Sequence, residues 1–163
     1  MFYKLTRNRC SLIIVSIVAF IFSSTPAFGK KDPYFIHLGV ENGLAQNTVY
    51  CILQDNRGFM WFGTKDGLSR YDGYQFKNYR NDKNDPRSIG NNCIRSIFQD
   101  SNNKIWIGTD AGAYIYDPDK DSFDYMNART KDGIKIEKEV NDIKQDQNGV
   151  YWFAVDWQGV FSY

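Results

Sequence analysis

The sequence has few residues of the kinds that carry catalytic or metal chemistry. Its 163 residues contain one histidine, His37, and three cysteines. A single histidine excludes a histidine-based metal cluster and a Ser-His-Asp arrangement, and no glycine-rich phosphate loop leads from a strand into a helix. A formal net charge of +1 gives no indication of a nucleic-acid or membrane-surface partner. We therefore predict no catalytic residue, no metal site and no cofactor in this chain.

The first 29 residues predict a secretory signal peptide. Three basic residues precede an apolar run of 12 residues, SLIIVSIVAFIF, and small residues follow it. The run is too short to span a bilayer, which needs about 20 apolar residues, and an uncleaved N-terminal anchor is the alternative. Cleavage after Gly29 would leave 17 basic and 19 acidic residues, a net charge of −2. We interpret Cys51 and Cys93, which remain in the exported chain, as two buried thiols in preference to a disulfide bridge.

A segment of about 45 residues occurs three times after the signal peptide. Each copy opens with a similar block, VYCILQD, IRSIFQD or VNDIKQD, and continues through a polar turn into WFGT, WIGT or WFAV. The tryptophans that begin the second blocks are 45 and then 46 residues apart, at Trp61, Trp106 and Trp152. An internal period of 40 to 50 residues indicates a solenoid, an array or a β-propeller.

The residues within each copy favour strands. The runs are short, rich in Val, Ile, Phe, Tyr and Trp, and bounded by Gly, Asn or Asp. In the first copy they predict strands at 49–54, 59–64, 68–71 and 74–79, joined by hairpin turns. No stretch after residue 30 has a long apolar stripe at helical spacing. Because four antiparallel strands in about 45 residues make one propeller blade, we predict an all-β fold of β-propeller blades.

The repeat also predicts how the chain is divided. Residues 30–48 form a lead-in whose strand near 35–38 would close a ring by completing its last blade, residues 49–92 and 93–139 form two blades, and residues 140–163 form a truncated third blade. Propellers close with about 4–8 blades. We therefore expect an incomplete propeller, the N-terminal part of a longer one, with a complete small domain as the alternative.

Repeated positions are expected to serve the fold. A tryptophan at one strand position of every blade would fill the space between neighbouring sheets, and the glycine two residues later would permit close approach of the next sheet. Asp55, Asp100 and Asp146 recur at one turn position, which favours a turn-capping role. Asp117, Asp119 and Asp121 alternate in DPDKDSF but lack the rest of a calcium loop, so a polar turn is expected there.

These residues resemble the two-component regulator propeller repeat, which is found in periplasmic sensors of hybrid two-component systems. The resemblance is carried by ENGLAQNTVYCILQDNRGFMWFGTKDGLSRYDGYQF, by IRSIFQDSNNKIWIGTDAGAYIYD and by the third copy ending in GVFSY. It implies an extracytoplasmic sensor in an inner-membrane protein that has a histidine kinase downstream and is a homodimer at full length. It also implies an oligosaccharide ligand, signalling by phosphorelay to transcription, and no enzymatic activity in these 163 residues. The alternative is a secreted propeller enzyme, a polysaccharide lyase or glycosidase.

Ligand contacts from this segment are expected in the loops at one rim of the ring. These are the turns between the second and third strands of each blade and the connections that enter each first strand. The candidate ligand-binding residues are Asp66, Asp110, Asp156 and Trp157. Trp157 arises from a one-residue insertion, and an exposed indole could contact the C–H face of a sugar ring. The alternative is that Trp157 packs over the adjacent blade.

Overall fold

The computed structural model describes residues 33–163, so the predicted signal peptide lies outside the described residues. Eleven strands form three antiparallel sheets in this part of the chain. The first sheet contains β1 Val49–Gln54, β2 Met60–Thr64, β3 Gly67–Tyr71 and β4 Phe76–Tyr79. The second contains β5 Ile94–Gln99, β6 Ile105–Thr109, β7 Gly112–Asp117 and β8 Ser122–Tyr125. The third contains β9 Val140–Gln145, β10 Tyr151–Val155 and β11 Gly159–Ser162.

Every sheet is a simple meander in which consecutive strands pair. The first strands, β1, β5 and β9, each lie at a sheet edge, and β5 contacts both β1 and β9, which places the three strands at the inner side of a radial arrangement. The prediction of all-β propeller blades is confirmed, and the four strands predicted in the first copy differ from the observed ones by at most two residues at an end. Among residues 33–163, no helix is long and apolar enough to cross a membrane.

The lead-in has one short 3₁₀ turn, Val40–Asn42, and no strand at 33–39. Phe35 is fully exposed. The strand predicted near 35–38 would pair with the last blade of a closed ring, and no such blade is among these residues. The predicted domain boundaries, with this closing strand, stay a prediction.

Aromatic side chains fill the spaces between the sheets, as the repeat predicted. Trp61 is fully buried, and its ring centroid lies 5.0 Å from that of Tyr116 in the second sheet. Trp106 is 3% exposed and contacts Tyr151 and Phe153 of the third sheet at centroid distances of 4.6 and 5.9 Å. Trp152, at the same repeat position, is 44% exposed, since no described sheet packs against that face. Trp61 and Trp106 are thus each buried by the sheet that follows their own.

A repeated hydrogen bond explains why aspartate and tryptophan recur together. The Oδ2 atoms of Asp55 and Asp100 each accept a hydrogen bond of 2.9 Å from the indole Nε1 of Trp61 and Trp106. Their Oδ1 atoms accept backbone N–H groups of the following turn, at 2.8–3.0 Å. Asp146 repeats both contacts. The aspartate therefore caps the turn, as expected, and also satisfies the buried indole, which the sequence did not indicate.

The glycine two residues after each buried tryptophan permits the close approach of sheets. A Cβ at Gly63 would collide with Cys51 and with Ile94 of the next sheet. A Cβ at Gly108 would collide with Ser96 and with Val140 of the next sheet. The third copy has alanine at this position, where no further described sheet approaches. The prediction of close packing at these glycines is confirmed.

Candidate ligand-binding rim

One end of the three sheets carries the loops that the sequence selected for ligand contacts. We call this end the rim and define it by the turns 65–66, 110–111 and 156–158 together with the residues that enter β1, β5 and β9. The backbone N–H groups of Lys65, Asp110 and Asp156 donate to carbonyl oxygens of these entering segments, at 2.9–3.2 Å. Each turn is therefore held against the entry of its own sheet, and the rim residues lie side by side.

A threonine closes the first two rim turns. Thr64 and Thr109 are fully buried, and each hydroxyl donates to a glycine carbonyl across the turn, at 2.7 and 2.9 Å. Each hydroxyl oxygen also accepts a backbone N–H of the turn, at 3.1 Å. These two bonds stabilise a two-residue turn. The third copy has Val155 at this position, which supplies no hydroxyl.

The third rim turn is one residue longer and projects Trp157 into solvent. The pair Val155 and Gly159 flanks three residues instead of two. Trp157 has a backbone φ of 58° and is 97% exposed. Left-handed backbone is uncommon for a bulky residue and occurs where the surrounding turn requires it. The alternative in which Trp157 packs over a neighbouring blade does not occur among the described residues.

Two of the predicted ligand residues already have partners within the protein. Asp66 accepts a hydrogen bond of 3.0 Å from Asn92 of the second sheet's entry and lies 3.3 Å from the Arg80 guanidinium. Asp110 accepts a hydrogen bond of 2.6 Å from Arg95. These carboxylates join neighbouring parts of the rim, so a ligand would meet them as fixed and partly neutralised acceptors. Asp156 is half-buried beside Trp157.

The rim also contains a set of residues that the sequence analysis missed. The pairing of β1 with β2, of β5 with β6 and of β9 with β10 is interrupted by one extra residue at the same place, a β-bulge. The bulge residues are Tyr50, Arg95 and Asn141. These residues differ among the three blocks, but so do Cys51, Ser96 and Asp142 at the next position, so the sequence alone does not single out the bulge residues.

Cys51 and Cys93, the cysteines within residues 33–163, are free, and both thiols are held in the protonated form. Burial raises the pKa of the Cys51 thiol to about 12. Burial also raises the pKa of Cys93 to about 11, with a further contribution from Asp110 beside it. A thiolate is the form that reacts and binds metals, so neither thiol is a reactive group at neutral pH. No group of His, Cys, Asp and Glu suited to a metal occurs within residues 33–163.

The opposite end of the sheets is a structural region of polar turns. Residues 118–121 form the expected turn between β7 and β8. Asp121 Oδ1 accepts hydrogen bonds from Tyr79 and Tyr116, at 2.8 and 2.7 Å, and Lys77 pairs with the same carboxylate. Burial opposes its ionisation, but the hydrogen bonds from Lys77, Tyr116 and Tyr79 prevail and lower the Asp121 pKa to about 2. The carboxylate links the first two sheets, which is a packing role.

The architecture defines a class of protein: a run of propeller blades with a polar, partly aromatic rim and no catalytic constellation in the described residues. The two-component regulator propeller model matches residues 43–66 and 88–111. These two segments match the repeat of the two-component regulator propeller family, so the resemblance seen in the sequence is confirmed. The matched residues include Asp66 and Asp110 and stop before the third, divergent copy.

Two solved structures and one curated protein are similar to this chain. The extracellular domain of the hybrid two-component system BT3049 from B. thetaiotaomicron is 30% identical and superposes with a TM-score of 0.72 over 80% of this chain and 19% of that one. The extracellular domain of BT4673 from the same organism is 28% identical, with a TM-score of 0.59 over 71% of this chain and 16% of that one. Histidine kinase P4 of Formosa agariphila is 50% identical over 48 residues, 29% of this chain and 4% of the kinase.

The chain thus spans about a fifth or less of the proteins that it matches. The similar solved structures are extracellular domains of signalling systems. The segment therefore resembles a sensor ectodomain and not a catalytic domain, in agreement with the prediction that these 163 residues are not an enzyme.

Proposed function

We propose that this chain is the extracytoplasmic ligand-sensing segment of a membrane-bound hybrid two-component sensor. In this proposal the protein is exported to the periplasm and detects an oligosaccharide released from a polysaccharide. Binding changes the activity of a histidine kinase in the same polypeptide, and phosphorelay carries the signal to transcription. The observation that carries the proposal is the similarity to the BT3049 extracellular domain over 80% of this chain.

The rim geometry supports an oligosaccharide as the ligand. Trp157 offers a nearly fully exposed indole on a turn in which the backbone N–H groups of Asp156 and Gln158 donate to the carbonyl oxygens of Glu139 and Val155. Carboxylates at Asp66, Asp110 and Asp156 lie on the same rim, where they can accept hydrogen bonds from sugar hydroxyls. An aromatic face next to a few fixed polar groups is the usual composition of a ligand site. The remaining blades of the ring and a second copy of the full-length protein are the other proposed partners.

The alternative of a secreted polysaccharide lyase or glycosidase is less well supported. Glycosidases need two carboxyl groups positioned on either side of the scissile bond. Of the rim carboxylates, Asp66 and Asp110 are each engaged with an arginine of the protein. The relatives named above are regulatory proteins. We therefore do not assign a reaction to this rim.

Calorimetry on the full-length exported protein tests the proposal. A panel of defined oligosaccharides from plant, algal and host polysaccharides is titrated into the protein and into its Trp157→Ala variant. We expect at least one oligosaccharide to bind, and we expect its affinity to fall in the variant while the melting temperature is unchanged. Lys104→Ala, at the opposite end of the sheets, is the matched control. Absence of binding across the panel would contradict the sensing role, and unchanged affinity in Trp157→Ala would remove this residue from the site.

A further inference from the structure

The three bulges of the rim place one residue from each sheet at the same position along its first strand. A β-bulge re-aims the side chain of its extra residue and is frequent beside functional sites. The residues that precede the bulges are apolar in all three sheets, and two of them, Ile94 and Val140, are fully buried. The bulge residues themselves are Tyr50, Arg95 and Asn141, which have no chemistry in common, and both Tyr50 and Asn141 are exposed. Packing therefore fixes the position of these side chains but not their type.

Arg95 is held in a defined orientation by groups from all three sheets. Its Nε donates to Asp110 Oδ1 at 2.6 Å and lies 3.1 Å from Glu139 Oε1 at the entry to the third sheet. Its guanidinium carbon lies 4.9 Å from the centre of the Tyr50 ring in the first sheet. Both ion-pair contacts involve Nε, and within the described residues the two Nη groups donate to no protein acceptor. The planar fork of the guanidinium is thus preorganised with donors left for a ligand.

The charges around Arg95 restrict what those donors can accept. One guanidinium is paired with two carboxylates, Asp110 and Glu139, so these three groups together carry one net negative charge. A ligand carboxylate or sulfate at the Nη groups would be repelled by both, at a distance where partly exposed charges still interact strongly. A sugar hydroxyl can accept the same hydrogen bonds without that repulsion. The Tyr50 ring and the Asn141 amide add an apolar face and a neutral polar group.

We propose that Tyr50, Arg95 and Asn141 form a row of ligand-contacting residues along the rim, and that this row selects uncharged oligosaccharides over acidic ones. The inference rests on the proposed sensing function and adds to it the contacting residues and the ligand class. Asp110 and Glu139 act as positioning residues, which orient Arg95 and exclude anions.

The test uses calorimetry on the full-length exported protein with two matched sets of probes. Neutral glucan, mannan and xylan oligosaccharides form one set, and oligogalacturonate and heparin oligosaccharides of the same lengths form the other. The variants are Tyr50→Ala, Asn141→Ala and Arg95→Lys, which keeps the charge beside Asp110 and Glu139 but removes the Nη fork. The control is Tyr74→Ala, because Tyr74 is a 95% exposed aromatic residue in the β3–β4 turn, away from the rim. Thermal melting of each variant verifies that it is folded.

We expect a neutral oligosaccharide to bind. Its Kd should rise roughly tenfold in Tyr50→Ala and in Arg95→Lys, which corresponds to a loss of about 1.4 kcal/mol of binding free energy. The Kd should not change in the Tyr74→Ala control. Glu139→Gln should narrow the preference for neutral over acidic probes. Tighter binding of an acidic probe by the unaltered protein would overturn the inference, as would neutral binding that folded Tyr50→Ala and Asn141→Ala variants retain. Failure of both sets to bind would overturn the proposed function and this inference with it.

Discussion

Replacing Trp106 with alanine should destabilise the junction between the second and third sheets without acting on a ligand. The indole is 3% exposed, lies 4.6 Å and 5.9 Å from the rings of Tyr151 and Phe153, and donates a 2.9 Å hydrogen bond to Asp100. Truncating a buried aromatic residue of this size costs about 3–5 kcal/mol, through lost burial and the cavity that remains. Asp100 keeps the hydroxyl of Tyr151 as a second donor at 2.7 Å, so the carboxylate is not left unpaired.

Hydrogen exchange measured by mass spectrometry reports this loss locally in the full-length protein. Opening free energies for peptides that cover β6 and β9 should fall by about 3–5 kcal/mol. Trp106→Phe keeps most of the ring and removes the hydrogen bond to a charged acceptor, which is worth about 1.5–3 kcal/mol, so an intermediate loss is expected. Trp157→Ala is the matched control, because this 97% exposed residue should change stability by less than about 0.5 kcal/mol. A Trp106→Ala protein with unchanged exchange but no ligand binding would refute the core assignment.

Three further predictions follow from the packing. Gly108→Ala should lower the free energy of opening at the same junction by about 1–3 kcal/mol, because the new methyl group would meet Ser96 and Val140; unchanged exchange protection in β5 and β9 would contradict this. The link that the Asp121 carboxylate makes between the first two sheets should weaken in acid, because its folded-state pKa of about 2 lies below the ordinary value near 3.9. Its contribution to stability is therefore present above about pH 4 and is lost as the pH falls towards 2. Asp121→Asn should flatten that part of a plot of melting temperature against pH. Residues 30–163 expressed alone should fold poorly or associate, because the third sheet leaves Trp152 and Val160 exposed and has an unpaired edge. A monomer in analytical ultracentrifugation that unfolds cooperatively in calorimetry would contradict this prediction.

The candidate site could be predicted only in part. The rim turns were predicted because insertions and polar residues between strands mark surface loops, and the exposure of Trp157 agrees with that reasoning. The sequence could not indicate that Asp66 and Asp110 are occupied by Arg80 and Arg95, since these pairs join residues that are 14 and 15 positions apart in the chain. The bulge residues were missed for a related reason: a bulge is a property of how two strands pair, and register becomes visible only when both strands are in place.

The sequence by itself determined the repeat, the strands and the class of fold. The 45- and 46-residue spacing of the tryptophans and the alternation of short apolar runs with Gly, Asn and Asp are local properties, and local backbone preferences suffice to interpret them. Only the tertiary structure decided which tryptophan is covered, which carboxylate is neutralised and where Arg95 directs its free donors. Those outcomes depend on the neighbouring sheet, because burial and ion pairing are set by groups that come together only when the blades pack.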